Sequence, residues 1–359
     1  MKTKKLSSNF TLAAYPERYP IITVIAMKNL LRLTGLFIAL CLAVNTNAQN
    51  APAPMQAKDV KLKDIRLRDV CVVTDKVNGL YYMVGPGRGA AVVEYTSKDL
   101  VNWNGPKEIY RAPADVWGDT RVNAVWAPEM HAYKGKYYLF LTFSTNKMLA
   151  EQWLNWRPRV VRGSTILVGD SPSGPFKAML NHSVPPVDMM TLDGTFWVED
   201  GKPYMVFAHE WVQISNGTME FVPLKDDLSE ATAPPTLMFR ANQAKWPVPS
   251  KAEGCYVTDG PYLYKSKSGS LMMVWSSFTA GGYTVGLAVS ESGKLAGPWR
   301  QEDTPLFDKD GGHSMLFHTL DGKLMMALHT PNSQAAQPHF YMMEDNGKTL
   351  KVTGESIRE

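Results

Sequence analysis

Asp200-Gly201-Lys202-Pro203-Tyr204-Met205-Val206-Phe207 is a turn followed by an apolar run of strand length, and the pattern recurs along the chain. It returns as Asn78-Gly79-Leu80-Tyr81-Tyr82-Met83-Val84, Lys134-Gly135-Lys136-Tyr137-Tyr138-Leu139-Phe140, Ser268-Gly269-Ser270-Leu271-Met272-Met273-Val274-Trp275 and Asp321-Gly322-Lys323-Leu324-Met325-Met326-Ala327-Leu328. Each is the signature of a β-hairpin. The five glycines lie 56, 66, 68 and 53 residues apart, a period that predicts an array of similar sheets. An acid or a histidine precedes each by 6 to 10 residues: Asp69, Glu129, Asp193, Asp259 and His313. Five equivalent places carrying mostly carboxylates point to one shared site built by a ring.

A second element follows each hairpin, a Ser/Asp-rich reverse turn such as Ser97-Lys98-Asp99-Leu100 or Asp170-Ser171-Pro172-Ser173-Gly174. Hairpin, strand and turn together read as a four-stranded blade. The predicted fold is all-β, a five-bladed β-propeller with a central channel, which leaves only short protected edges. Aromatic residues at 11% suit strands, and 27 glycines with 24 prolines suit tight turns.

The first residues read differently. Met27-Lys28-Asn29 opens a basic stretch to Arg32, Leu33 to Val44 is apolar, and Thr46-Asn47-Ala48 is a small-residue cleavage site. This predicts a secretory leader over 1–48, with Met27 as its expected start, too short to span a membrane. Residues 49–61 read as a linker and 62–359 as the propeller. The expected location is secreted or periplasmic. The chain's charge of +4 belongs to the leader; without it 32 basic residues face 33 acidic ones, a net of −1. That balance gives no electrostatic case for nucleic acid. Cys71 and Cys255 are expected as buried apolar side chains, with a disulfide left open, and the absence of a C-x-x-C pair argues against structural zinc.

Taken singly, Asp69, Asp193 and Asp259 are turn residues at strand starts. Taken together, three acids at one position in three blades ask for another account. Like charges lining a channel raise one another's pKa and so separate an acid role from a base role.

Arg68-Asp69, Trp126-Ala127-Pro128-Glu129, Leu192-Asp193-Gly194-Thr195-Phe196, Thr258-Asp259-Gly260-Pro261-Tyr262-Leu263-Tyr264 and Asp310-Gly311-Gly312-His313 resemble, in order, the motifs of glycoside hydrolase family 43. The resemblance covers about residues 62–350. It implies a five-bladed propeller that hydrolyses arabinose- or xylose-containing glycans with inversion. Residue by residue it implies Asp69 as general base, Asp193 as the carboxylate that orients and tunes the acid, and Asp259 as general acid. It further implies His313 as a channel histidine that contacts calcium through water; no cofactor is otherwise required. An inverting pair needs roughly 6.5–9.5 Å between carboxyls, to admit water. The family's acid is usually Glu, so Asp259 is a departure, and Glu253 in Ala252-Glu253-Gly254 is the substitute. The segment Asn332 to Phe340 also lacks the Arg before Pro that many relatives show.

Phe196, Trp197, Trp211 and Trp126 are candidates to stack on a sugar ring, with core packing as the alternative for strand residues. Trp156, with Trp153, stands in a polar loop and is a candidate distal subsite. Glu129 reads as a structural acid. His209-Glu210-Trp211-Val212-Gln213 lacks the second histidine of a zinc-protease helix, and no G-x-S-x-G elbow is present. The expected activity is an exo-acting α-L-arabinofuranosidase, with β-xylosidase or exo-galactosidase as alternatives. A non-catalytic sugar-binding propeller is the reading from another class.

Overall fold

This computed structural model describes residues 57–250 and 254–356, and their strands form five separate sheets. The first blade holds β1 (Lys58–Lys61), β2 (Cys71–Asp75), β3 (Leu80–Pro86), β4 (Ala91–Ser97) and β5 (Asn102–Arg111), in the order β1-β5-β4-β3-β2. The second holds β6 (Val122–Tyr133), β7 (Lys136–Met148), β8 (Val160–Gly169) and β9 (Lys177–Ala178). The third holds β10 (Thr191–Glu199), β11 (Lys202–His209), β12 (Thr218–Pro223) and β13 (Thr236–Arg240). The fourth holds β14 (Asp259–Lys265), β15 (Leu271–Thr279), β16 (Gly282–Ser290) and β17 (Trp299–Gln301). The fifth holds β18 (Gly312–His318), β19 (Leu324–Thr330), β20 (Gln337–Asp345) and β21 (Leu350–Ser356). Neighbouring strands within each blade are antiparallel, and β2, β6, β10, β14 and β18 touch in ring order. This is the five-bladed β-propeller the repeats predict.

The linker expected over 49–61 is shorter, because Lys58–Lys61 pair with Asn102–Gly105 as an outer strand of the first blade. The rest of that linker through residue 56, and the leader expected over 1–48, lie outside the described residues. Among the described residues no helix is long and apolar enough to cross a membrane.

The hairpin runs are continuously apolar because each second strand is covered on both faces. Alternate side chains serve the two neighbouring interfaces. Tyr138 and Phe140 pack toward the third blade, while Leu139 and Leu141 pack toward the first. Met273 and Trp275 pack toward the third blade, while Met272 and Val274 pack toward the fifth. Burying each such side chain is worth about 1.5–3 kcal/mol. The hairpin glycines answer a backbone demand. Lys134-Gly135 and Asp200-Gly201 are two-residue turns with φ of 47° and 79°, and 51° and 77°, the mirror-image geometry that matches strand twist.

Among the described residues no strand is shared between the first and last blades. The seam is closed by side chains: Thr74 Oγ1 donates to the His318 carbonyl at 2.6 Å, and Tyr81 Oη accepts from the Leu320 N–H at 2.7 Å. Cys71 is a buried free thiol on β2, so the disulfide left open by the sequence is not made.

Candidate active site

A β-bulge interrupts each inner strand from the second blade to the fifth. The register slips between Trp126 and Glu129, Leu192 and Thr195, Asp259 and Tyr262, and Gly312 and Met315. One residue in each bulge has a left-handed backbone: Ala127 (φ 42°), Asp193 (φ 57°), Gly260 (φ 47°) and His313 (φ 50°). Asp69, just before β2, matches them at φ 50°. Bulges re-aim side chains and are frequent beside active sites. The equivalent positions are therefore Asp69, Ala127, Asp193, Gly260 and His313. This corrects the sequence alignment in two blades: Asp259 stands one residue before its bulge position, and Glu129 two residues after.

A left-handed non-glycine residue is strained and needs support. Three of the bulge amides donate to a buried side chain on the preceding blade. Asp193 N–H donates to Thr142 Oγ1 at 2.9 Å, His313 N–H to Ser276 Oγ at 2.9 Å, and Asp69 N–H to His329 Nδ1 at 3.2 Å. In the third blade the matching residue is Ala208, which offers no acceptor. There the Gly260 N–H donates instead to Asp193 Oδ2 at 3.0 Å. The Asp193 carboxylate is thus fixed by the backbone that follows Asp259.

A cavity of about 800 Å³ opens at this end, lined by Asp69, Asp193, Asp259 and His313 together with Trp126, Glu210 and Trp211. Asp69 Oδ2 accepts from Arg68 Nε at 3.0 Å. Its Oδ1 has no hydrogen-bond partner among the described residues, although His329 Nδ1 lies 3.2 Å away. His329 Nδ1 already accepts the Asp69 N–H, and its Nε2 lies 3.3 Å from Asn332 Oδ1. That network assigns the proton to Nε2 and leaves Asp69 Oδ1 with free lone pairs. Burial opposes ionisation of Asp69, but His313 and the Arg68 guanidinium favour it, and the carboxyl is held well below the usual carboxylate range.

Asp259 has the opposite surroundings. Burial, the negative charge of Asp193 and a hydrogen bond with Asp193 drive its pKa well above the ordinary value, against His313 and the Tyr283 hydroxyl, which donates to Asp259 Oδ2 at 2.6 Å. Burial, with the charges of Asp69 and Glu129, pushes Asp193 up to about 6. Two carboxyls hydrogen-bonded to each other hold a proton between them, and the shifts place it on Asp259. The cavity therefore joins an ionised carboxylate with a free lone pair to a protonated acid, the division of labour of acid–base hydrolysis.

Of the aromatic candidates, Trp126 and Trp211 line the cavity, while Phe196 and Trp197 do not. Phe196 packs on Phe140, His131 and Tyr133, and Trp197 packs beside the core between the third and fourth blades. The bulge at Asp193 sends the following strand down the blade, so proximity in sequence did not carry into the cavity. Trp156 touches Trp211 edge-on and donates its indole N–H to the Val212 carbonyl at 2.6 Å. Glu253, the substitute acid, lies outside the described residues. Glu129 pairs with His131 at 2.7 Å.

Glu210 was missed. It is buried in the cavity wall, both oxygens accepting from Arg162 Nη1 at 2.5 and 2.6 Å, while the guanidinium lies 4.1 Å over the Trp126 ring. No motif marks it in the sequence. His329, Thr142 and Ser276 did leave a signal: each stands seven residues after its hairpin glycine.

Asp193, Asp259 and His313 place one ligand atom each within 4.8 Å of one another. Calcium takes six to eight oxygens, and two carboxylates engaged with each other supply few of them. An ion held there would therefore take most of its ligands from water.

A propeller whose cavity joins an ionised carboxylate to a protonated one suits a glycosidase of the acid–base class. The profile described as Glycosyl hydrolases family 43 matches residues 64–349. The chain belongs to that family, and it is a glycoside hydrolase. Among solved structures it is similar to an endo-arabinase from Bacteroides thetaiotaomicron VPI-5482, at 36% identity and TM-score 0.72, covering 81% of this chain and 99% of that one. It shares its fold with an α-L-arabinofuranosidase from Lactobacillus brevis, at 17% identity and TM-score 0.65, over 83% of this chain and 98% of that one. It also shares its fold with an α-L-arabinanase from Cellvibrio cellulosa complexed with arabinohexaose, at 18% identity and TM-score 0.55, over 82% and 96%. No curated protein matches the chain.

Proposed function

We propose that the chain is a secreted, inverting hydrolase of α-L-arabinosyl linkages, acting on arabinan or its oligosaccharides. Asp69 takes the proton from the attacking water, Asp259 delivers one to the leaving oxygen, and Asp193 orients and tunes Asp259. The observation that carries this is the opposed proton affinity of Asp69 and Asp259 within one cavity. Trp126 and Trp211 offer the apolar surface against which a pentose ring packs. Calcium belongs to the same proposal, held by His313 through water, where its charge would favour the ionised carboxylates.

The preferred substrate is the interior of an arabinan chain, supported by the 36% identity to an endo-arabinase. The exo-acting α-L-arabinofuranosidase expected from the sequence is the second reading. Chromatography of early products from linear arabinan separates the two. A ladder of oligosaccharides is expected for interior cleavage, and free arabinose alone from the first minutes would establish exo action. Hydrolysis of xylan or galactan with arabinan untouched would overturn the sugar assignment.

A further inference from the structure

Residues 149–159, between β7 and β8, fold back as a strap whose base is closed by the Leu149 N–H donating to the Arg159 carbonyl at 2.9 Å. Arg159 is almost fully buried and anchors the strap. Its guanidinium donates to the Gln213 carbonyl at 2.5 Å and pairs with Glu151 at 3.0 Å. The same guanidinium lies 3.6 Å over the Trp153 ring. Trp153 donates its indole N–H to Glu151 Oε1 at 3.0 Å, and yet the residue remains 40% exposed. An indole held by a cation on one side and a hydrogen bond at its edge has lost its rotamer freedom before any ligand arrives.

The position of this ring connects it to the cavity. Trp211 lines the cavity, Trp156 meets Trp211 at a centroid distance of 6.5 Å, and Trp153 meets Trp156 at 5.6 Å. The three rings step outward from the catalytic acids to the surface. Within the step Trp156 is the fastener, since its N–H is spent on the Val212 carbonyl. Of the two tryptophans of this polar loop, Trp153 is the exposed ring.

On the glycan-hydrolase reading above, we propose that Trp153 is a preformed stacking platform for a pentose unit of a polymeric substrate, outside the catalytic cavity. The ligand is a chain long enough to occupy the cavity and the strap together. A monosaccharide glycoside reaches only the first.

The test compares the parent with Trp153→Ala and Trp153→Phe on soluble linear arabinan and on an aryl α-L-arabinofuranoside. Loss of one aromatic stack corresponds to about a 2- to 12-fold rise in KM on the polymer. Turnover of the aryl glycoside and Tm are expected to stay unchanged, with Trp153→Phe recovering most of the polymer affinity. An unchanged polymer KM, or equal losses on both substrates, overturns the proposal. Where the parent cleaves no arabinose substrate, the platform is read by electrophoresis through gels containing arabinan, xylan or galactan. Retardation of the parent in one gel that Trp153→Ala removes supports the platform although the arabinan reading has failed. Retardation that Trp153→Ala keeps, or none for the parent in any gel, overturns it.

Discussion

Asp69 and Asp259 carry the same functional group with opposite proton affinity, and the difference lies in what surrounds each. Asp69 meets an arginine and two histidines, whereas Asp259 meets a second carboxyl and a phenol. Both aspartates, with Asp193 and His313, were legible in the sequence because each precedes a recurring hairpin. Glu210 and Arg162 were not, because an ion pair formed between two blades leaves no local pattern. The shifts also have consequences for stability. Between the ordinary carboxyl value of 3.8 and about 6, folded Asp193 holds a proton that the unfolded chain has released. Its contribution therefore favours folding at low pH and is lost as pH rises through about 6. Asp69 behaves oppositely, stabilising above the ordinary carboxyl range and losing that contribution in acid. Asp193→Asn is expected to raise stability at pH 7.5 by on the order of 2–3 kcal/mol, a few degrees in Tm, with the gain vanishing near pH 4. Thermal melts at the two pH values check this, and a difference independent of pH would contradict it.

At the scale of the element, the informative register is the seventh residue after each hairpin glycine: Pro86, Thr142, Ala208, Ser276 and His329. Three of these catch the strained amide of the next blade, which fixes the backbone of Asp193, His313 and Asp69 at the cavity. The recurring position was visible in the sequence. Its purpose was not, since the acceptor and the amide it serves lie on different blades. His329 also stacks on Tyr283, with centroids 5.7 Å apart, and Tyr283 donates to Asp259. One buried pair thus supports both Asp69 and Asp259. His329→Phe keeps the stack and removes the acceptor. It is expected to lower kcat about 10- to 100-fold, which corresponds to an unpaired buried amide of about 1–3 kcal/mol, with KM little changed. His329→Asn, which restores an acceptor, is expected to recover part of that loss. Steady-state kinetics on an aryl glycoside distinguish this from a merely structural role, which would move KM and Tm alongside kcat.

At the scale of the molecule, the fold was legible because a propeller repeats. Five hairpins at one period specify five blades, and the doubly apolar second strands specify that blades pack face to face. The boundary at the first blade was less legible. Lys58–Lys61 form an outer strand that is mostly exposed and polar, so its composition is that of a linker. A ring of blades with different residues at one level makes a single asymmetric site, and the central claim is that this site separates Asp69 as base from Asp259 as acid. The direct measurement is kcat/KM for Asp69→Asn and Asp259→Asn on a pair of arabinofuranosides, one with a dinitrophenyl leaving group and one with an alkyl leaving group. A leaving group that departs unaided does not need the acid. Asp259→Asn is therefore expected to keep most activity on the dinitrophenyl glycoside and lose about 10²–10⁴-fold on the alkyl one, while Asp69→Asn loses activity on both. Equal losses on the two substrates for Asp259→Asn, or an active Asp69→Asn, would contradict the assignment.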